Sequence, residues 1–333
     1  MTQGPSPELF FTTMFAYHKT AAMKAAIELD LFTAIGDGAS TVPDIARATG
    51  ASERGTRILC DFLTLNGFLE KSNSKYQLTP DSEVFLTKRS PAYLGGTVQF
   101  LATPELTRNA DVLTETIRRG TIPVEANNTV SEANPIWDTF ARAMVPMAMP
   151  TAQAIADVLD VAGAGAIRVL DIAAGHGMYG IVIAQRNQQA EVVAVDWPSV
   201  LAVASEHAAG MGVSDRHRTV AGDAFTVDWG RDYDAALVTN FLHHFDAPSC
   251  TTFLRKIAGS LKPGGRIAVL EFVPNEDRVS PPGPAAFAMT MLAGTESGDA
   301  YTFDDLRGML TDAGFHDVSR CPAGPQTVVV AGK

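Results

Sequence analysis

A chain of 333 residues, 46% hydrophobic and 19% charged, holds enough apolar material for two domains with separate cores. Its net charge of −11 and pI near 5.1 argue against a nucleic-acid partner, since phosphate neutralisation by Lys and Arg supplies most of that affinity. No run reaches the roughly 18 uncharged apolar residues needed to cross a bilayer, so no membrane partner is expected. The start, MTQGPSPE, has neither the basic region nor the cleavage site of a secretory leader. Cys60, Cys250 and Cys321 form no close pair, which predicts free thiols in a cytoplasmic protein and no zinc site.

From the N-terminus, apolar residues at helical spacing predict a helix over 10–31. Thr41-Val-Pro-Asp44 opens a second helix with a capping hydroxyl, a first-turn proline and an acid three residues on, and Gly50 ends it. Ser52 starts a third, with Ile58, Leu59, Phe62 and Leu63 on one face. Two short extended runs around Ser72-Asn-Ser74 predict a hairpin. Helix, helix, hairpin is the order of a winged helix. The helix that would enter a major groove offers only Arg54 and Arg57 beside Glu53 and Asp61, so a scaffold or dimerisation role is favoured over DNA binding.

A polar stretch, 124–131, predicts a linker, and 135–159 a helical region. From Ile167, β-branched runs alternate with helical patterns. Strands are expected at 167–172, 192–196, 218–221, 235–240 and 266–272, with two more near 316–319 and 327–331. The expected fold is α/β: a mainly helical winged-helix domain over 1–123, a linker and helical acceptor region over 124–160, and a Rossmann-like domain with a mostly parallel seven-stranded sheet over 161–333.

The central motif runs Val169-Leu-Asp171-Ile-Ala-Ala-Gly175-His-Gly177-Met-Tyr-Gly180. Gly175 to Gly180 spells GxGxxG, and Asp196 follows at a strand end, so a nicotinamide dehydrogenase must be weighed. Asp171 argues against it. A carboxylate at the strand's end repels a pyrophosphate and suits a ligand bearing a sulfonium and an ammonium. Asp196 is placed for ribose hydroxyls, and Asp223, in Gly222-Asp-Ala-Phe225, for an adenine amine. Three acids at three successive strand ends fit a nucleoside without phosphates.

On these residues the chain resembles the class I S-adenosylmethionine-dependent methyltransferases. More closely it resembles the small-molecule O-methyltransferases with an N-terminal winged-helix dimerisation domain, the plant caffeate and isoflavone type and its bacterial relatives. The likeness spans about 10–330 through Asp171–Gly177, Asp196-Trp-Pro, Gly222-Asp-Ala-Phe, Asn240-Phe-Leu-His-His-Phe245, Leu261-Lys-Pro-Gly-Gly265 and Ala313-Gly-Phe315. It implies S-adenosylmethionine as cofactor, with Ala173, Gly175 and Gly177 along its methionine part. Asp196 and Trp197 would lie at the ribose, and Gly222, Asp223, Ala224 and Phe225 at adenine. Thr239 and Asn240 would border the cofactor, Thr239 standing where the plant enzymes often carry a lysine. A homodimer is also implied.

The resemblance makes His243 the general base, oriented by Glu271, with His244 a packed strand-end histidine. A phenol needs such a base, because its pKa lies near 10. Phe245 would adjoin the acceptor, whose pocket would draw on Trp137, Phe140, Met144 and Met147 and on Phe287, Met289 and Met291, with Asn134 nearby. The plant enzymes place a second acid where this chain has Ala300; Asp299 or Glu296 are the candidate substitutes. No carboxylate–amide cluster suggests Mg²⁺, so metal independence is expected. The main expectation is O-methylation of a small, aromatic or natural-product acceptor. The alternatives are N- or C-methylation, or use of S-adenosylmethionine itself as substrate, with release of methylthioadenosine.

Overall fold

The computed structural model describes residues 4–123 and 134–333, and the expected linker at 124–131 lies outside them. The chain divides into two compact units at Thr103/Pro104. Residues 104–123, expected with the N-terminal domain, thus group with the C-terminal unit.

The N-terminal unit holds α1 (Glu8–Met14), α2 (Tyr17–Glu28), α3 (Leu31–Gly36), α4 (Val42–Thr49), α5 (Glu53–Leu65), β1 (Leu69–Ser72), β2 (Lys75–Leu78), α6 (Pro80–Leu86) and a single turn, α7 (Val98–Leu101). The single helix expected over 10–31 is instead broken, because Phe15-Ala16 and Leu29-Asp30 interrupt it and Asp30 takes a left-handed φ of 56°. The other start and stop signals act as read. Thr41 Oγ1 accepts from Asp44 N, Ser52 Oγ accepts from Gly55 N, and Gly50 closes α4 at φ 67°. Asn73 and Ser74 both have positive φ, the geometry that lets a two-residue turn follow the twist of the hairpin. Phe32, Ile45, Leu63 and Tyr76 fill the core. On α1, by contrast, Leu9, Phe10, Phe11 and Met14 are all exposed, as is Phe15 just after it.

The C-terminal unit begins with α8 (Pro104–Thr107), α9 (Leu113–Arg119), α10 (Ile136–Ala143) and α11 (Val145–Val158). Its sheet contains β3 (Arg168–Ile172), β4 (Glu191–Asp196), β5 (His217–Ala221), β6 (Tyr233–Thr239), β7 (Leu261–Glu271), β8 (His316–Ala323) and β9 (Gln326–Gly332). Between the strands run α12 (Met178–Arg186), α13 (Pro198–Gly210), α14 (Ala247–Ser260), α15 (Pro282–Gly294) and α16 (Phe303–Asp312). The strand order is β5-β4-β3-β6-β7-β9-β8, parallel except for β9, which is antiparallel to β7 and β8. Seven strands, mostly parallel, match the expected sheet, and the central strands are largely apolar and buried because both faces are covered. Residues of α11 and α12 cover one face, those of α14 and α16 the other. The chain turns back between β3 and β6, the place where open α/β sheets hold ligands beyond their strand ends.

Candidate active site

At the end of β3, Asp171 is wholly buried. Its Oδ2 accepts the Gly180 N–H at 3.0 Å, while Oδ1 is buried without a partner. Burial pushes its carboxyl up to about 8, with Asp196 adding to the rise and the Gly180 N–H opposing it. The following loop turns on three left-handed residues, Ala173 (φ 52°), Gly175 (56°) and Gly177 (74°), the last capping α12. Space is close at Gly175 and lacking at Gly180. A Cβ on Gly175 would stand 3.3 Å from the Phe140 ring, and one on Gly180 would come 2.8 Å from Asp171 Oδ2 and 2.6 Å from Val192.

Asp196 closes β4 with Oδ2 on Gly175 N (2.8 Å) and Oδ1 on Trp197 N (2.7 Å). Burial lifts it to about 6. Each oxygen keeps a second lone pair for a hydroxyl. An orphaned carboxylate oxygen and two acids held above their ordinary range suit a ligand that brings positive charge and hydroxyl donors, as S-adenosylmethionine does.

Just beyond β6, the neighbour of β3, a second group of residues gathers around His243. Glu271, at the end of β7, is 2% exposed. Its Oε1 accepts the N–H groups of Phe241 (3.1 Å) and Leu242 (2.9 Å), and its Oε2 lies 2.5 Å from His243 Nδ1. A carboxylate can only accept, so Nδ1 carries the proton and the Nε2 lone pair is left to take another. The Phe287 ring packs edge-on against His243 at 4.9 Å, and His244 is edge-on to Trp137 at 5.5 Å. Burial drives the His244 imidazole well below its ordinary pKa, with His243 beside it adding to the effect.

Comparison with known proteins gives the family. Residues 132–316 match the O-methyltransferase domain, and residues 11–88 the O-methyltransferase dimerisation domain. The chain belongs to the O-methyltransferase family. It is an S-adenosylmethionine-dependent methyltransferase.

A solved structure from Nostoc punctiforme, assigned as an O-methyltransferase, is 45% identical, covers 99% of this chain and 100% of its own, and superposes with a TM-score of 0.96. The 3-hydroxy-5-methyl-1-naphthoate 3-O-methyltransferase of Streptomyces sahachiroi is 29% identical over 90% of this chain and 87% of its own length. The tetracenomycin polyketide synthesis 8-O-methyl transferase of Streptomyces glaucescens is 27% identical over 99% and 97%. Other relatives are named for C- or N-methylation.

Within this O-methyltransferase the expected residues fall into distinct groups. Asp171, Ala173, Gly175, Gly177 and Asp196 share one loop system. Asp223 accepts its own Phe225 N–H at 2.9 Å, turning the chain after Gly222, which has φ 147°. Trp197 packs with Trp137 against Ala141 and Val200. Phe225 and Phe245 lie 4.8 Å apart in an aromatic cluster with Phe241, and Ala224 is buried beneath.

Thr239 is buried in β6, and the Asn240 carboxamide is engaged on both sides. Gln326 Nε2 donates to its Oδ1, while its own Nδ2 donates to Tyr179 Oη at 3.4 Å. Phe140 stacks on His176 at 5.9 Å, Met144 joins α10 to α11, and Met291 is buried. Met147 and Met289 are 40% and 51% exposed. Asp299 is tied to Arg278, and Ala300 is buried.

Sequence reading passed over His176, Tyr179 and Gln326. His176 was legible only as an unspecified position between two glycines, yet its Nδ1 accepts the Met178 N–H at 3.1 Å at the start of α12. Among the described residues, no group of three or more His, Cys, Asp or Glu could hold a metal ion, and no helix is long and apolar enough to cross a membrane.

Proposed function

We propose that this enzyme methylates the hydroxyl oxygen of a small aromatic natural-product-type molecule, with His243 as general base and Glu271 holding it. The observation that carries this reading is the buried His243–Glu271 pair, whose carboxylate is also gripped by the Phe241 and Leu242 backbone. S-adenosylmethionine supplies an electrophilic methyl on a neutral leaving group, so orientation of the acceptor does much of the work, about 7–11 kcal/mol for well-aligned partners. A positioned base adds roughly 10²–10⁴-fold for an acceptor that must lose a proton.

Asp171 and Asp196 are assigned to the ammonium and ribose ends of the methyl donor, and Gly175 and Gly177 to the space beside its methionine arm. Ala173, Trp197, Gly222, Asp223, Ala224 and Phe225 complete that side, together with Thr239. Asn240 is assigned to shaping the wall, because its amide is already engaged. Trp137, Phe140 and Phe287 offer ring faces and edges near the histidines, and Met144 and Met291 back them. Phe245 is assigned to support Phe225 and Phe241. Met147, more exposed, is assigned to the rim. The enzyme works as a homodimer in the cytoplasm and without metal; the exposed apolar side chains of α1 support self-association.

The test is to incubate the protein with S-adenosylmethionine alone, then with 3-hydroxy-5-methyl-1-naphthoate and a pooled set of phenols and amines, reading nucleoside products by mass spectrometry. S-adenosylhomocysteine formed only with a hydroxyl acceptor supports the proposal. Transfer confined to amines or carbon acceptors, or methylthioadenosine released without any acceptor, overturns it. Light scattering on the purified chain checks the dimer.

A further inference from the structure

His243 is held by more than its ring. Its backbone carbonyl accepts the N–H of Asp299 at 3.0 Å. Gly298 approaches so closely that a Cβ there would fall 2.1 Å from that carbonyl oxygen and 3.0 Å from the carbonyl carbon of His244. Gly298 has no positive φ, so the glycine is required for space. Its N–H donates to Thr295 Oγ1 at 2.9 Å, and Thr295 in turn donates to Met291 O at 2.7 Å, at the end of α15. The segment that touches the base is therefore anchored at its α15 side.

Its other anchor is Arg278. Nη1 donates to Asp299 Oδ2 at 3.1 Å, and Nη2 to Asp305 Oδ2 at 2.7 Å in the first turn of α16. Asp305 Oδ2 also accepts the Thr302 N–H at 2.9 Å, so the fork joins the Asp299 loop to a capped helix end. Arg278 itself is presented by a tight turn at φ 54°. There Asn275 N donates to Ser280 O at 2.7 Å, and Asp277 Oδ1 accepts from both Val279 N and Ser280 N at 3.0 Å. With its side chain 47% exposed, Arg278 adds little to stability, as half-exposed ion pairs generally do. Geometry is what such a fork gives, since a guanidinium fixes two carboxylates in one plane.

We propose that Arg278 is a positioning residue for His243, acting through Asp299 and its N–H on the His243 carbonyl to hold the imidazole in register with Glu271. This rests on the reading of His243 as the base. A small displacement of a reacting group is enough to cost about 10²-fold in rate.

The test follows the ring of His243 directly by NMR, through its ¹⁵N and Nδ1–H resonances, assigned by their loss in H243N. Binding of S-adenosylhomocysteine and thermal unfolding serve as controls. In R278M the Nδ1–H signal should broaden away or move upfield, with S-adenosylhomocysteine affinity unchanged and the fold intact. D299N, which keeps the N–H and can still accept from Arg278, should retain the signal. G298A, which pushes on the same carbonyl, should lose it. A sharp, unshifted signal in folded R278M overturns the proposal, and so does a loss of ligand affinity parallel to the loss of signal. If the signal responds as stated but H243A still transfers methyl at the wild-type rate, the positioning stands and the base assignment falls.

Discussion

Glu271 reaches His243 with one carboxylate oxygen and holds the peptide N–H groups of Phe241 and Leu242 with the other. The acid thus fixes the ring and the backbone that carries it in a single contact. Because the strands β6 and β7 are parallel neighbours paired through Thr239 and Leu270, the residues that follow each strand arrive side by side. The histidine needs no long side-chain search to find its partner.

Removing the base should therefore be costly. H243A is expected to lower kcat by about 10²–10⁴-fold, with S-adenosylhomocysteine binding unchanged. E271Q, which can still accept from the backbone but does not favour an imidazolium, should lower kcat by roughly 10² or more with little effect on either KM. Steady-state kinetics at saturating methyl donor check both; a near-normal kcat in H243A would remove the base from the scheme.

Proton release should accompany methyl-donor binding. Asp171, raised by burial to about 8, and Asp196, raised to about 6, both lie above the ordinary carboxylate pKa of 3.8. A folded-state pKa above the unfolded one means that ligand-free stability is greatest below about pH 4 from these groups, and is lost as pH rises toward 8. A positively charged ligand favours both ionised forms, so binding should release protons and tighten as pH rises to about 8. Calorimetry at pH 7 in buffers of different ionisation enthalpy counts those protons. Affinity flat from acid to alkaline pH, with no proton release, would contradict the assignment of Asp171 to the site.

Gly180 has no room for a side chain. A Cβ there meets Val192 and the very Asp171 oxygen that its own N–H supports. G180A should destabilise the fold by about 1–3 kcal/mol, as overpacking does, and should weaken S-adenosylhomocysteine binding as well. Urea unfolding and calorimetry measure the two losses; unaltered values of both would mean that the loop yields freely.

Metal removal should leave turnover intact. The proposed chemistry places the proton on His243 and asks nothing of a Lewis acid. Activity after dialysis against EDTA is expected to equal that before, and restoration by added Mg²⁺ of an activity lost to EDTA would count against the scheme.

What the sequence disclosed was whatever rests on local rules. Thr41, Asp44 and Gly50 mark a helix because capping is settled within a few residues, and the sheet is readable because buried parallel strands are apolar on both faces. Asp171 and Asp196 were legible by position at strand ends. The break at Asp30 was not, since the apolar spacing runs on across a residue that takes a left-handed φ of 56°. Arg278 and Gly298 were equally hidden. Each matters through a contact across tens of residues, to Asp299 and to His243, and no spacing pattern records it. Asn240 was expected to end a strand and lies one residue beyond β6, and its partners Tyr179 and Gln326 come from α12 and β9 and could not be foreseen.

The base and its carboxylate grow from strand ends, whereas the rings around them come from elsewhere. Trp137 and Phe140 stand on α10, and Phe287 on α15, both outside the sheet. Under the proposed function, proton transfer and acceptor choice are carried by separate parts of one unit. Substitutions on two helices can retailor the molecule being methylated while the His243–Glu271 pair stays untouched, so a change of acceptor does not require a new catalyst.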